Sequence, residues 1–325
     1  MNAKPLTILL TGAAGFIGSH VADKLIEQGH TVIAVDNFSD YYDPRFKEEN
    51  VAHHKKTENY TLHRTDISDY AALKEIFQKA DVDVIIHLAA QAGVRISIQK
   101  PLLCERSNLT GTYNLLELAH EFGIKDFIFA SSSSVYGNQE KTPFTETDPV
   151  DHPISPYAAT KKACELIAYT YHHLYDMNCV GLRFFTVYGE RGRPDMSPYI
   201  FANAILNDKP LSRFGDGSME RDFTYIDDIV NGVVACIGKK LGYKIINLGN
   251  SSAVTLNDYI ATFEKVIGKK ANIEEKPEQP GDVKKTFADA SQAKKLLGWE
   301  PTTDLETGLT KFVKWFKQER QDNPY

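Results

Sequence analysis

Two residues four positions apart, Tyr157 and Lys161, are the best placed in this sequence to do chemistry. At that spacing they share one face of a helix. An ammonium beside a phenol favours the phenolate form, and a phenolate can remove a proton near neutral pH. Because the same pair is also typical of a solvated helix face, its meaning depends on what lies near it.

A run of four serines, residues 131–134, follows a strand-like pattern and comes before this pair. A hydroxyl at the end of a strand can bridge a substrate hydroxyl and the phenol. A serine-rich turn held by its own local hydrogen bonds fits the same pattern. Taken with the tyrosine and the lysine, the run favours a catalytic site. The predicted catalytic residues are Ser132, Tyr157 and Lys161.

A glycine-rich segment near the N-terminus predicts a dinucleotide site. Gly12, Gly15 and Gly18 follow a strand-like run and open a helical pattern. Glycines permit a tight turn and let a pyrophosphate approach the backbone, and the start of the helix favours an anion. Asp36 ends the next strand-like run, where a carboxylate can accept hydrogen bonds from ribose hydroxyls and repel a 2′-phosphate. This arrangement predicts NAD as the cofactor, in preference to NADP.

Alternating strand-like and helical segments must position these two groups. Strand-like patterns occupy residues 7–10, 31–35, 61–64, 83–88, 126–130 and 178–184. Helical patterns between them occupy residues 16–28, 101–122 and 156–175, with Ser155 as a cap. This alternation predicts βαβ units and a mostly parallel sheet.

Beyond Phe185 the alternation is interrupted by prolines and glycines. Later patterns are helical at residues 226–237, 256–267, 291–297 and 306–318, and strand-like at 244–248. We predict an α/β protein with a Rossmann-type doubly wound parallel sheet and a smaller, partly interleaved α/β C-terminal substrate domain. The predicted NAD-binding domain is 1–184 plus about 222–248, and the predicted nucleotide-sugar-binding domain is 185–221 and 249–325.

Composition and charge exclude several classes of protein. The 325 residues are 42% hydrophobic and 25% charged, which is ordinary globular usage. A net charge of −6 disfavours a basic face for nucleic acid. No apolar run approaches the ~20 residues that cross a bilayer and no secretory leader pattern opens the sequence, so we expect no membrane partner and a cytoplasmic location.

Cysteines and histidines give no sign of a metal site. The four cysteines are scattered without a Cys-x-x-Cys motif, which predicts buried free thiols in a reducing compartment. Neither histidine pair, at 53–54 or at 172–173, has partners at metal-ligand spacing. Both pairs are therefore expected on the surface, and no metal is predicted.

In their order along the chain, these motifs resemble those of the extended short-chain dehydrogenase/reductase superfamily, in particular its nucleotide-sugar epimerases and dehydratases. Residues 87–90, 108–112, 281–282 and 297–299 extend the resemblance over nearly the whole chain. It implies that a hydride leaves a sugar carbon for tightly held NAD and later returns. The cofactor-binding residues so predicted are Gly12, Gly15, Phe16, Ile17, Gly18, Asp36, Asn37, Asp66, Ile67, Leu88, Ala89, Ala90, Asn108, Tyr157, Lys161, Phe184 and Val187.

Within the superfamily, residues 36–43, 91–95 and 192–196 resemble the UDP-glucuronate 4-epimerases. That resemblance implies that Thr186 and Arg193 hold the C5 carboxylate of the sugar, for which a guanidinium fork is suited. UDP-galactose 4-epimerases usually carry Asn at the position of Thr186. The substrate-binding residues so predicted are Arg95, Ser133, Ser134, Thr186, Arg193, Phe201, Phe214, Arg221 and Asp282.

Several of these assignments have an alternative. Arg193 could be a surface arginine, and Arg95 either a second carboxylate contact or a loop cation. Lone aromatics such as Phe201 and Phe214 are more often core residues. Asp66 could contact the adenine amine or belong to a helix cap.

The implied reaction is NAD-dependent epimerisation of UDP-glucuronate to UDP-galacturonate at C4, through a transient 4-keto sugar. UDP-glucose/UDP-galactose 4-epimerisation and UDP-glucuronate decarboxylation remain alternatives, and a non-catalytic NAD-binding sensor is a more remote one. A dehydratase is disfavoured, because Ser133 and Ser134 stand where those enzymes usually carry an Asp-Glu pair.

Helices 101–122 and 156–175 carry apolar residues on more than one face, which predicts packing on more than one side. In the superfamily these two helices build a four-helix dimer interface, so a homodimer is expected. Burial under the C-terminal domain is the alternative. The residues behind this expectation are Leu115, Leu116, Leu118, Leu166, Ile167 and Tyr169.

Overall fold

A computed structural model of the chain describes residues 4–277 and 285–320. Its strands are β1 (Thr7–Thr11), β2 (Thr31–Asp36), β3 (Tyr60–Arg64), β4 (Val84–His87), β5 (Asp126–Ser132), β6 (Asn178–Phe184), β7 (Thr186–Tyr188), β8 (Pro210–Phe214), β9 (Glu220–Tyr225), β10 (Tyr243–Leu248), β11 (Ala253–Thr255) and β12 (Asn272–Lys276). Its helices are α1 (Phe16–Glu27), α2 (Arg45–Ala52), α3 (Tyr70–Lys79), α4 (Val94–Gln99), α5 (Pro101–Glu105), α6 (Gly111–Glu121), α7 (Pro156–Tyr175), α8 (Ser197–Leu206), α9 (Ile226–Val234), α10 (Leu256–Ile267), α11 (Ser291–Leu297) and α12 (Leu305–Glu319).

Seven parallel strands form the main sheet in the order β3-β2-β1-β4-β5-β6-β10. The first six follow the strand order of dinucleotide-binding folds, which confirms the predicted fold class. The order reverses between β1 and β4. In such sheets ligands bind at that reversal, outside the carboxyl ends of the strands.

Helices cover both faces of this sheet, so its central strands are almost continuously apolar. Side chains alternate between the faces along a strand. In β1, Ile8 and Leu10 therefore enter the core that also contains α1, α9 and α12, whereas Leu9 enters the core that contains α3, α6 and α7. These two cores fix the sheet between its helical layers.

The chain leaves the main sheet after β6 and returns to it once. Two small sheets, β11-β9-β7 and β12-β8, form the second part of the molecule. In sequence, α9 and β10 lie between β9 and β11. Helix α9 packs on α1, and β10 pairs with β6 from Cys179 to Phe184, so the two parts interleave. We propose a boundary after Tyr225, since all of β9 belongs to the small sheet.

Some predicted elements differ from the structure. The single helix expected at 101–122 is α5, a π-helical turn at Arg106–Thr110 and then α6. The prediction also lacked α2, α4 and the strands of the small sheets. β7 and β11 have three residues each, too few for an alternating pattern to show. Among the described residues, no helix is long and apolar enough to cross a bilayer.

Candidate active site

A cavity of about 420 Å³ opens at the carboxyl ends of the main-sheet strands, where the strand order reverses. It is lined both by the main sheet and by the segment that follows β6. Most predicted site residues lie on its wall. They are Gly12, Gly15, Phe16, Ile17, Gly18, Asp36, Asn37, Asp66, Ile67, Leu88, Ala89, Ala90, Ser132, Ser133, Ser134, Tyr157, Lys161, Phe184, Thr186, Val187 and Arg193.

The turn between β1 and α1 is built so closely that only glycine fits. Gly12 has φ +69°, and a Cβ there would lie 2.8 Å from the amide nitrogen of Ala89. A Cβ on Gly18 would lie 2.0 Å from the carbonyl oxygen of Gly12. Gly15, the N-cap of α1, has no side chain to bond the first N–H groups of the helix. Those N–H groups therefore favour an anion at this end of α1.

Asp36 lies at the end of β2 with its carboxylate buried. Its Oδ2 accepts the amide of Ala14 at 3.1 Å, and its Oδ1 accepts the amide of Phe38 at 2.8 Å. Oδ1 also accepts Nζ of Lys47 at 3.0 Å. Lys47 lines the cavity from α2. The sequence did not predict its role, because no local motif links a lysine to an aspartate 11 residues before it. The Lys47 ammonium partly neutralises the Asp36 carboxylate. The electrostatic repulsion of a 2′-phosphate at this site therefore depends on both charges and not on Asp36 alone.

Asp66 faces the cavity from the end of β3. Its Oδ2 accepts Nδ2 of Asn37 at 3.1 Å, and its Oδ1 accepts the amide and hydroxyl of Ser68 at 2.8 and 2.7 Å. Burial opposes the charge, but these hydrogen bonds outweigh it and lower the pKa of Asp66. The cap of α3 is Asp69, which accepts the amide of Ala72 at 3.0 Å.

Tyr157 and Lys161 lie in the first turns of α7 and both line the cavity. Ser155 caps this helix as predicted, since its hydroxyl accepts the amide of Ala158 at 3.1 Å. Nζ of Lys161 donates to the carbonyl oxygen of Ala130 on β5 at 2.7 Å. The ammonium is thus fixed between the catalytic helix and the end of a central strand.

Ser132 ends β5, and the 3-10 turn Ser133–Tyr136 follows it. Its Oγ accepts the amide of Ser134 at 3.1 Å, so the local turn expected of a serine run is present. A hydroxyl that accepts one hydrogen bond still has its own hydrogen to donate. Ser132 can therefore cap the turn and contact a ligand in the cavity.

A buried ion pair holds α7 against the sheet. Glu165 continues the spacing of Tyr157 and Lys161 by four residues, and its side chain is fully buried. Its Oε1 accepts Nε of Arg183 at 2.8 Å and the Ser131 hydroxyl at 2.7 Å, while Oε2 accepts Nη2 of Arg183 at 2.9 Å. Burial opposes the charge, but Arg183 outweighs it and lowers the pKa of Glu165. Extending the four-residue spacing could have found this residue.

Asn108 does not line the cavity and acts through its neighbours. Its Oδ1 accepts the amide of Gln91, a cavity residue, at 2.8 Å. Its Nδ2 donates to the hydroxyl of Thr160, next to Lys161, at 2.9 Å. Asn108 lies in the π-helical turn Arg106–Thr110, a deformation often found at functional sites.

His87, the first residue of the motif at residues 87–90, is buried. Its Nδ1 lies 2.7 Å from the hydroxyl of Thr11, and its Nε2 lies 3.1 Å from the hydroxyl of Thr112. Burial, with a smaller contribution from Lys161, lowers the pKa of His87 to about 3. The imidazole is therefore neutral near pH 7 and joins β1, β4 and α6.

Thr186 and Arg193 line the cavity from the segment that follows β6. The guanidinium of Arg193 donates through Nε and Nη2 to Oδ1 and Oδ2 of Asp195, at 2.9 and 2.6 Å. Burial works against both charges, yet their hydrogen bonds and mutual attraction raise the pKa of Arg193 and lower that of Asp195. With its side chain only 17% exposed, Arg193 is not an ordinary surface arginine.

Four predicted substrate contacts, Arg95, Phe201, Phe214 and Arg221, lie outside the described cavity wall. Phe201 is buried in an aromatic core, with ring centroids 5.5 Å from Tyr259 and 5.9 Å from Phe263. This placement agrees with the core alternative. Arg95 and Phe214 lie beside each other, with Cζ 5.9 Å from the ring centroid.

Arg221 and Asp282 are the last two of the predicted substrate contacts. Arg221 is on β9, and its Nη1 donates to the carbonyl oxygen of Glu220 at 2.9 Å. Because β9 pairs with β7, Arg221 shares a small sheet with the cavity residue Thr186. Asp282 lies outside the described residues.

The expectation that His53 and His54 both lie on the surface is wrong for His54, which is 7% exposed. Nε2 of each lies against Oδ1 of Asp23, at 2.8 and 2.6 Å. These three residues could offer ligand atoms to a metal ion, but Nη2 of Arg191 bonds the other carboxylate oxygen. With both oxygens engaged, the group acts as an ion-pair centre that joins α1, the end of α2 and the segment of Arg193.

Comparisons with known protein families and with known sequences both match nearly the whole chain. The family described as GDP-mannose 4,6 dehydratase matches residues 9–312. A UDP-glucuronate 4-epimerase of Thermodesulfobacterium geofontis is 49% identical over 311 residues, which cover 95% of this chain and 96% of that protein. The similarity therefore extends over both parts of the molecule.

Solved structures agree with this result. The UDP-glucuronic acid 4-epimerase of Bacillus cereus, in complex with UDP-glucuronic acid and NAD, has a TM-score of 0.90 at 38% identity and covers 96% of this chain and 99% of its own. The UDP-glucose 4-epimerase of Thermotoga maritima, with UDP-glucose, has a TM-score of 0.89 at 36% identity over the same shares. The fold is thus shared with enzymes of both charged and uncharged UDP-sugars.

Proposed function

The chain belongs to the GDP-mannose 4,6 dehydratase family of extended short-chain dehydrogenases/reductases, and from this premise we propose that it catalyses NAD-dependent C4 epimerisation of UDP-glucuronate to UDP-galacturonate. The observation that carries the proposal is one cavity whose wall holds Tyr157 and Lys161 together with Arg193. The first two suit proton removal from a sugar hydroxyl. The third suits a sugar carboxylate.

The residues present fit NAD. Any side chain on Gly12 or Gly18 would fill the space against the backbone at the start of α1, where a pyrophosphate is favoured. Asp36 offers its carboxylate to the ribose hydroxyls. When bound, NAD would supply an acceptor for a hydride from the sugar carbon and would be regenerated when that hydride is returned, so it would not be consumed.

The chain's own residues handle the proton and the oxygen at C4. Tyr157 as phenolate takes the proton of the 4-hydroxyl, and the Lys161 ammonium on the same helix face favours that phenolate. Ser132 donates a hydrogen bond to the same oxygen. The 4-keto sugar then turns within the cavity, and Tyr157 returns the proton to the oxygen of the epimer.

The carboxylate must be restrained during this step. A 4-keto group next to a C5 carboxylate makes a β-keto acid, which loses CO₂ when the breaking C–C bond lies along the π system of the carbonyl. Arg193 fixes the plane of the carboxylate by two-point hydrogen bonding, and Thr186 supplies a hydroxyl beside it. An epimerase needs this restraint and a decarboxylase does not.

Proton NMR of the purified protein with UDP-glucuronate, without added reductant, tests the proposal. We expect UDP-galacturonate with its carboxylate retained. A UDP-pentose with CO₂ would identify a decarboxylase instead. No change with UDP-glucuronate, but turnover of UDP-glucose, would identify an epimerase of uncharged sugars, and no turnover of either would favour the sensor.

We also propose a homodimer through α6 and α7, but not through the three leucines of α6 expected at its interface. Leu115, Leu116 and Leu118 are buried in the chain's own core. The exposed apolar side chains of these two helices are instead Leu166, Tyr169 and Leu174 on α7 and Tyr113 on α6. Light scattering at micromolar protein should give twice the chain mass of 36.5 kDa, and a particle of 36.5 kDa would contradict the dimer.

The proposed cytoplasmic location is supported by the chemistry of the cysteines. All four are buried free thiols. Burial raises the pKa of each, which keeps it in the unreactive thiol form. Unpaired thiols are typical of reducing compartments.

A further inference from the structure

Arg193, the residue proposed to hold the sugar carboxylate, already has a carboxylate partner in its own chain. The two-point contact with Asp195 has N–O distances of 2.9 and 2.6 Å. Such a contact fixes the plane of a guanidinium as well as its position. It uses two of the five N–H donors of an arginine, which leaves three beyond it.

Tyr41 is the second partner of Asp195. Its hydroxyl donates to Oδ2 at 2.9 Å, and its ring centroid lies 5.2 Å from Cζ of Arg193. Tyr41 belongs to the segment between β2 and α2, 154 residues before Asp195. A Cβ on Gly93 would lie 3.5 Å from the Tyr41 hydroxyl and 3.7 Å from Nη2 of Arg193. Three distant segments therefore meet around one guanidinium.

We propose that Asp195 and Tyr41 are positioning residues, which hold the guanidinium of Arg193 in the plane that restrains the C5 carboxylate of the 4-keto sugar. This inference rests on the proposed function. Arg193 and Tyr41 line the described cavity and Asp195 does not, so Asp195 acts through the guanidinium. An arginine that keeps its charge but loses its fixed plane still attracts the substrate and restrains it poorly.

Loss of restraint leads to a definite product. When the C5–C6 bond of the 4-keto sugar aligns with the carbonyl π system, CO₂ leaves, and the electron pair of that bond forms an enolate over C5, C4 and the C4 oxygen. A proton from water at C5 gives a 4-ketopentose. Return of the hydride to C4, with a proton to its oxygen, gives a UDP-pentose. The share of UDP-pentose among the products therefore reports on the plane of Arg193.

Proton NMR with UDP-glucuronate and the holoenzyme compares Asp195→Asn and Tyr41→Phe with the wild type. In Asp195→Asn we expect the UDP-pentose share to rise about tenfold, as for the loss of one charge-assisted hydrogen bond. The KM for UDP-glucuronate should not rise, because a carboxylate that repels the substrate is removed. Tyr41→Phe should shift the products in the same direction by less. The matched control is Asp43→Asn, since Asp43 makes the same kind of two-point contact with Arg45 away from the described cavity wall.

Calorimetric binding of UDP-glucose, which has no carboxylate, separates positioning from a general loosening of the cavity. An increased pentose share with unchanged UDP-glucose affinity supports the inference. An unchanged pentose share, or equal weakening of UDP-glucuronate and UDP-glucose, would overturn it. If the wild type forms no UDP-galacturonate, the proposed function fails and this inference with it. A wild-type epimerase whose Asp195→Asn variant has normal products would overturn the inference alone.

Discussion

Two regions of the cavity wall, the glycine turn and the surroundings of Arg193, differ in whether backbone or side chains form them. At the glycine turn the wall is backbone, because a Cβ on Gly12 or Gly18 would meet main-chain atoms at 2.8 or 2.0 Å. Around Arg193 the wall is made of side chains that distant segments bring together. A backbone wall tolerates few substitutions, whereas a side-chain wall can be altered one residue at a time without disturbing the fold. Cofactor binding and sugar selectivity are therefore separable properties of this chain.

Removal of one oxygen from Tyr157, which lines the same cavity, should have the largest effect. Tyr157→Phe deletes the proposed base, so kcat should fall by about 10²- to 10⁴-fold, the range for general acid–base groups, with melting temperature and NAD content preserved. NMR initial rates and a thermal melt measure these quantities. Tyr175→Phe is the control, since that tyrosine ends the same helix and lies outside the described cavity wall. A Tyr157→Phe enzyme with near wild-type turnover would refute the mechanism.

The backbone wall is tested by comparing Gly12→Ala with Gly268→Ala. Both glycines have positive φ, +69° and +79°, but Gly268 has nothing within 4 Å of an added Cβ. Each alanine should cost about 1 kcal/mol for its backbone conformation, and Gly12→Ala about 1–3 kcal/mol more for overpacking. Only Gly12→Ala should lose co-purifying NAD. Chemical denaturation and cofactor release measure both effects, and equal losses in the two variants would contradict a backbone-built wall.

The side-chain wall is tested by Arg193→Gln. Loss of hydrogen bonds to a charged group should raise the KM for UDP-glucuronate by about 10- to 100-fold, while the affinity for UDP-glucose stays unchanged. Steady-state kinetics and calorimetry provide the two numbers. If both sugars weaken together, Arg193 supports the loop and does not select the carboxylate.

The smallest effect is expected from Asp23→Asn, at the ion-pair centre behind the wall. Burial opposes the charge of Asp23, but hydrogen bonds from His54 and His53 and the Arg191 cation outweigh it and lower its pKa. A pKa lowered by folding means that the carboxylate stabilises the protein above its unfolded value near 4 and that this stability is lost as pH falls further. The side chain is 35% exposed, so screening keeps the effect small.

Unfolding free energies measured from pH 7 down to pH 3 test this sign. The wild type should lose its advantage over Asp23→Asn in acid, and parallel curves would show that the pairing does not stabilise the fold. Turnover at pH 7 should be the same in both.

The sequence predicted best what depends on local spacing. The parallel main sheet follows from the alternation of its strands with helices, and the glycine turn, Asp36 and the Tyr157–Lys161 pair are recognisable because each motif spans few residues. Lys47 and Asp195 carried no such signal, since their roles come from contacts formed only after folding. Phe201 shows the reverse case, in which an aromatic beside site residues in sequence packs into the core.

The small sheets escaped prediction for a physical reason. β8 and β12 pair with each other alone, and β12 is largely exposed. Neither strand has the continuous apolar run that a buried strand shows. The π-helical turn before α6 was not predicted either, because a single i→i+5 turn inside a helix requires no distinctive residue pattern.

The return of β10 to the main sheet has a consequence for engineering. The chain passes between the two parts three times, after β6, after β9 and after β10. A single recombination point therefore cannot exchange the part that contains the small sheets for that of a relative, because three junctions would have to match at once. A protease cut in one of those connections would leave fragments that still hold each other through strand pairing. New sugar selectivity in this scaffold is more readily reached by single substitutions around Arg193 than by exchange of whole modules.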